Sequence, residues 1–226
     1  MRPLLITGTD TEVGKTVLTT SLAAYWQKYY SDSSLGLLKL LQTGVGDYEL
    51  YHQLFSSSRG ITIGNSLCLK TPVAPPIAAQ KENLIINLGE IWQELCSLTQ
   101  QQNFVLIEAL GGLGSPITEE LTIADIAGDW HLDVVLVVPV KLGAIAQTVA
   151  NVALARQTKI NLKGIVLNCA QPVTDSEIAD LAPIELIESL TNIPVMGVIP
   201  HLQNLNQLDS LAQVAANLDL EVLLPI

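Results

Sequence analysis

Runs of Val, Ile and Leu recur along the chain, and longer stretches of helical spacing separate them. The first run, Leu4 to Ile6, ends in a turn, and Lys15 to Tyr30 then predicts a helix closed by Ser31-Asp32-Ser33-Ser34. A buried strand over Leu35–Leu41 follows, then a polar helical piece over Asp47–Phe55, a short strand over Leu67–Lys70 and a Pro-rich crossing from Pro72 to Pro76. Beyond it the pattern predicts a helix over Leu88–Gln101, a strand over Phe104–Ile107 and the turn Gly111-Gly112-Leu113-Gly114. Strands over Val134–Val140, Gly164–Leu167 and Pro194–Ile199 alternate with helices over Gly143–Lys159, Asp175–Leu190 and Leu205–Leu218. Continuous apolar strands separated by helices are buried on both faces, which predicts a doubly wound α/β fold with a mostly parallel sheet and right-handed crossovers. In such sheets ligands collect at the carboxyl ends of the strands.

The residues at those ends are unusually polar. Gly8-Thr9-Asp10-Thr11-Glu12-Val13-Gly14-Lys15-Thr16 joins the first strand to the first helix and reads as a phosphate-binding loop. Its backbone N–H groups and the helix N-terminus suit a triphosphate, Lys15 reaches the outer phosphates, and the Thr16 hydroxyl suits magnesium. Five residues separate Gly8 from Gly14 where the common pattern has four, so Thr9 stands at the first-glycine position. Lys39 and Glu108 both close apolar strands. A buried carboxylate needs a cation, so Glu108 is read either as a magnesium ligand, with Asp47 as the second, or as the partner of a nearby lysine. For Asp47 a helix N-cap is the rival reading. Asn168, after another apolar strand, pairs with a purine edge or caps a turn.

Composition narrows the function classes. The 226 residues and 49% hydrophobic content suit one domain over residues 1–226. A net charge of −11 with scattered Lys and Arg disfavours nucleic acid and anionic lipid surfaces. Cys68, Cys96 and Cys169 have neither disulfide nor zinc spacing, which fits a reduced cytoplasm. The N-terminus lacks the features of a signal peptide. The longest apolar run, Val134 to Val140, falls short of the roughly 20 residues a membrane helix needs.

The nine residues from Gly8 closely resemble the nucleotide loop of dethiobiotin synthetases, ATP-dependent enzymes that close the ureido ring in biotin synthesis. Similarity continues at Lys39 with Thr43 and Gly44, at Pro72-Val73-Ala74-Pro75, at Glu108-Ala109-Leu110-Gly111-Gly112, at Val140-Lys141-Leu142-Gly143 and at Pro200-His201-Leu202. Leu40, Pro76 and Leu110 depart from the family pattern, which has Pro, often His, and a small residue there.

The resemblance implies ATP as co-substrate, Mg²⁺, and carboxylation of 7,8-diaminononanoate by carbon dioxide through a carbamate and a carbamic-phosphoric anhydride. It implies Lys39 and Lys15 as catalytic cations and Thr11 and Thr43 as substrate-orienting hydroxyls. Glu12, Val13, Gly14, Lys15, Thr16 and Val17 would hold phosphates, joined by Asp47, Glu108, Ala109, Leu110 and Gly111. Thr16, Asp47 and Glu108 would surround the metal. Asn168 and Cys169, with Pro200, His201 and Leu202, would flank the base; from the residues alone, His201 reads as a packing or solvent residue. Gly143, Ala144 and Ile145 would take the substrate carboxylate across the two-fold interface of a homodimer. Two other classes stay open: a nucleotide-switched positioning ATPase, which would carry a further lysine where Asp10 and Thr11 stand, and a non-catalytic synthetase-like regulatory module.

Overall fold

A computed structural model of the chain describes residues 2–64 and 67–225. The elements in order are β1 (Leu4–Gly8), α1 (Lys15–Tyr29), β2 (Leu35–Lys39), β3 (Leu41–Thr43), α2 (Asp47–Phe55), β4 (Ile61–Ile63) and β5 (Leu67–Leu69). They continue with α3 (Pro75–Glu82), α4 (Leu88–Gln101), β6 (Phe104–Glu108), α5 (Ile123–Asp129), β7 (Asp133–Pro139) and α6 (Ala144–Gln157). The last are β8 (Asn161–Asn168), α7 (Asp175–Leu181), α8 (Ile184–Thr191), β9 (Val195–Ile199), α9 (Leu208–Ala216) and α10 (Leu220–Leu223).

Among the described residues, seven strands form one parallel sheet in the order β4-β2-β6-β1-β7-β8-β9, as the apolar runs predict. Successive residues of β1 serve opposite faces. Leu4 and Ile6 pack with Leu18, Leu22 and Trp26 of α1 and Leu211 of α9, whereas Leu5 packs with Ile91 and Leu95 of α4 and Ile126 of α5. Each such side chain, removed from water, contributes about 1.5–3 kcal/mol. From β1 the chain builds first toward β2, β4 and β6, then toward β7, β8 and β9. The crevice at that reversal lies over the carboxyl end of β1, where the phosphate loop stands.

Several elements differ from the sequence expectations. The strand expected over Leu35–Leu41 breaks after Lys39, because its neighbour β6 ends at Glu108. Leu41–Thr43 pairs instead with β5 in a separate two-stranded sheet. The Pro-rich crossing continues directly into α3, with Pro75 in the first helical turn, where a missing N–H costs nothing. The helix expected over Asp175–Leu190 is two helices, since Pro183 cannot supply the N–H that a continuous helix requires. Helix α5, which carries a Thr122–Asp125 capping box, and the edge strand β4 are additions.

Candidate active site

The loop from Thr9 to Gly14 is shaped by its backbone. Gly14 has φ 103°, and a Cβ there would stand 2.1 Å from Asn168 Nδ2, so the position requires both glycine's freedom and its missing side chain. Asn168 Nδ2 donates to the Val13 carbonyl at 2.9 Å, tying the end of β8 to the loop. Gly112 supports the loop from behind; a Cβ there would meet the Thr9 carbonyl carbon at 2.9 Å. Helix α1 opens at Lys15 with no side-chain cap, leaving its first N–H groups for an anion. Lys15 Nζ donates to the Asp10 carbonyl at 2.8 Å. Burial, and after it the charge of Lys39, lowers the Lys15 pKa to about 8.

The second half of the site comes from strand register. Lys39 on β2 pairs with Glu108 on β6, so cation and acid stand side by side at the carboxyl edge of the sheet. Lys39 Nζ lies 2.8 Å from Glu108 Oε1, 2.5 Å from Asp47 Oδ2 and 3.1 Å from the Ala109 carbonyl. Burial works against the Lys39 ammonium, but Glu108 and Asp47 outweigh it and hold its pKa above the ordinary lysine value. Burial likewise disfavours the Asp47 carboxylate, yet Lys39 and Thr16 hold its pKa below the ordinary value. Asp47 is not the cap of α2. Gly46 occupies that position, and Glu49 reaches back to its N–H at 2.8 Å, freeing Asp47 for the cleft.

Thr16 Oγ1 lies 2.7 Å from Asp47 Oδ1 and 2.9 Å from Glu108 Oε1. One hydroxyl hydrogen cannot serve both acceptors. The surplus of hard oxygen acceptors suits a divalent cation such as Mg²⁺. Among the described residues no group of three or more His, Cys, Asp or Glu side chains is placed to hold a metal. An ion here would therefore complete its shell with nucleotide oxygens and water, the usual habit of Mg²⁺.

Sequence reasoning overlooked two groups. The Tyr51 phenol donates to Glu108 Oε2 from full burial. Burial, then the Glu108 charge, holds its pKa well above the ordinary phenol value. Gln42 is also buried; its amide nitrogen donates to Glu49 Oε2 at 2.8 Å, and its oxygen accepts from the Tyr48 N–H at 2.9 Å. The four-residue step from Asp47 to Tyr51, one face of a helix, is the signal that was available.

A cleft of about 720 Å³ brings together Thr11, Glu12, Gly14 to Val17, Lys39, Thr43, Asp47, Glu108, Leu110 and Gly111. Val13 and Ala109 are buried behind it. Asn168, tied to the loop through Val13, stands with Cys169, Pro200, His201 and Leu202 where β8 and β9 end. Cys169 N–H donates to the Ile199 carbonyl at 2.9 Å, and His201 Nδ1 lies 3.1 Å from the Ala170 carbonyl. Gly143 and Ile145 stand apart from the cleft, in an apolar groove with Leu142, Val149 and Leu190, while Ala144 is buried.

Known proteins resemble the chain in sequence and in fold. A family model described as an AAA domain matches residues 2–209. The ATP-dependent dethiobiotin synthetase BioD of Gloeothece citriformis is 64% identical over 226 residues, covering the whole of both chains. The chain belongs to the dethiobiotin synthetase family. The synthetase of Crocosphaera subtropica is 60% identical over 99% of this chain and 100% of its own, and that of Bacillus subtilis strain 168 is 26% identical over 99% and 98%. Solved structures extend the likeness in fold alone. The cell division ATPase MinD of Pyrococcus furiosus superposes with a TM-score of 0.63 at 13% identity, over 99% of this chain and 100% of its own. A ParA family ATPase from Chlorobium tepidum gives 0.56 at 14% identity, over 98% and 96%.

Proposed function

We propose that the chain is an ATP-dependent cyclo-ligase that joins carbon dioxide to 7,8-diaminononanoate and closes the ring to dethiobiotin, releasing ADP and phosphate. The observation that carries this reading is the placement of two lysines, Lys15 and Lys39, with the hydroxyls of Thr11 and Thr43 in one cleft beside an uncapped helix start.

One substrate amine adds carbon dioxide to give a carbamate. A carbamate oxygen then attacks the γ-phosphorus of ATP, and the bond to the ADP oxygen breaks. The second amine attacks the carbamate carbon, phosphate leaves and the ring closes. None of these steps needs a protein nucleophile; they need positioned cations along the transferred group. Lys39 serves as a fixed positive charge, since the acids beside it keep it protonated and unfit as a base. Lys15 exchanges the Asp10 carbonyl for phosphate oxygens. Thr11 and Thr43 orient the carbamate. Thr16, Asp47 and Glu108 would hold Mg²⁺, which neutralises phosphate charge when bound.

Asn168 and Cys169, with Pro200 to Leu202, flank the base. The apolar groove at the start of α6 meets a second copy of the chain, so that Gly143, Ala144 and Ile145 of one protomer take the substrate carboxylate in the other's site. This reading is supported by the exposure of Leu142 (88%) and Leu190 (52%) and by the uncapped start of α6. Cysteines without a partner and the absence, among the described residues, of any helix long and apolar enough to cross a membrane accord with a cytoplasmic enzyme. The direct test is phosphate release from ATP with diaminononanoate and bicarbonate supplied or withheld. Release that ignores either substrate would sink the reading.

A further inference from the structure

Glu108 is fully buried, and its two oxygens have different partners. Oε1 faces Thr16 at 2.9 Å and Lys39 at 2.8 Å, whereas Oε2 accepts from the Tyr51 phenol. Tyr51 is itself fully buried, packed in the core beneath α2, and it does not line the cleft. It lies one turn after Asp47 on the same helix, and residues four apart share one face. Helix α2 therefore governs both acids of the cluster, Asp47 by carrying it and Glu108 by gripping its far oxygen.

A free carboxylate has two equivalent oxygens and a torsion that exchanges them. With Oε2 engaged by a buried donor, only Oε1 points toward Thr16. Partners of this kind orient the groups that hold a metal, and their loss weakens metal affinity by about 10–100-fold in comparable sites.

We propose that Tyr51 is a positioning residue that fixes the Glu108 carboxylate with one oxygen toward the cation site, so that α2 sets the geometry of both acids together. The inference rests on the assignment of Thr16, Asp47 and Glu108 to magnesium. Tyr51 touches neither metal nor substrate.

The test measures the affinity of a non-hydrolysable ATP analogue by calorimetry, once in EDTA and once in Mg²⁺. The ratio of the two constants reports the metal's contribution without turnover. Tyr51→Phe should lower that ratio about tenfold while leaving the EDTA constant within about twofold. An unchanged ratio, or an equal loss with and without metal, overturns the proposal. Glu108→Gln, measured alongside, tests the metal assignment itself. If that ratio stays at the wild-type value, the assignment fails; if it falls and Tyr51→Phe does not follow, the positioning role alone fails. Should Tyr51→Phe not fold, 4-methylphenylalanine at position 51, which fills the volume of the phenol and lacks its donor, takes its place with the same expected and overturning results.

Discussion

The cleft is built in two ways. Its phosphate loop is a contiguous run from Gly8 to Thr16, in which a strand, a turn and a helix start follow one another in sequence. Its charged cluster gathers Lys39 from β2, Asp47 and Tyr51 from α2, and Glu108 from β6. The loop depends on local backbone geometry and tolerates loss of a side chain. The cluster depends on register, and each of its members is compensated by the others. Removing one charge from the loop should therefore cost function alone, and removing one from the cluster should cost function and stability together.

The largest expected effects test that contrast on the two lysines. Lys15→Ala and Lys39→Ala should each lower turnover by about 10²–10³, the usual loss when a group that stabilises developing charge is removed. Only Lys39→Ala should also destabilise the ligand-free fold, by about 3–5 kcal/mol, because it leaves two acids without their cation. Denaturant unfolding of the two variants measures the difference. Equal stabilities would erase the distinction between loop and cluster.

If Glu108 and Asp47 hold the metal as proposed, replacing Glu108 by Gln should raise the Mg²⁺ needed for half-maximal ATP turnover at least tenfold, since one of the two acid ligands would be gone. A coincident magnesium titration would remove Glu108 from the metal site.

A third prediction concerns the apolar groove. Ile145→Asp and Lys15→Ala should each inactivate, one by repelling the substrate carboxylate and one by losing the phosphate cation. Mixed and allowed to exchange, the two dead proteins should recover about a quarter of the wild-type sites if two copies share the site as proposed, because each heterodimer would then contain one intact site. If mass spectrometry shows heterodimers and no activity returns, the site lies within a single chain.

The sequence disclosed the loop and the sheet almost fully, and the cluster only in part. Apolar runs and the spacing of Gly14, Lys15 and Thr16 are local signals. That Lys39 lies directly beside Glu108 is a fact of register between strands 69 positions apart, and no local pattern carries it. Hence Glu108 could be read as a metal ligand or as a lysine's partner, and the structure pairs it with Lys39. Tyr51 was hidden for the opposite reason. It occupies an apolar position of α2, and only its hydroxyl, buried against a carboxylate, separates it from an ordinary core aromatic. The break at Pro183 was legible from proline chemistry alone, and the longer apolar periodicity around it concealed the signal.

The smallest expected effect belongs to the loop. Burial and Lys39 hold the Lys15 pKa near about 8, and phosphate oxygens favour the ammonium form. The bound state thus holds more protons at this lysine than the free state above that pH. Nucleotide affinity should be full below pH about 8 and decline as the pH rises through it. Calorimetry at about pH 9 in two buffers of different ionisation enthalpy should detect proton uptake on binding, and Lys15→Met should abolish it. Equal heats in both buffers for the wild-type chain would place the titration elsewhere.

The Lys39 ammonium, held between Asp47 and Glu108, makes the acid cluster its own counterion system. Small metal-dependent domains unfold when stripped, because there the metal's binding energy is also the folding energy. Here the two are expected to separate: a chelator should leave the melting curve of the chain in place, because the Lys39 ammonium already stands between the two carboxylates.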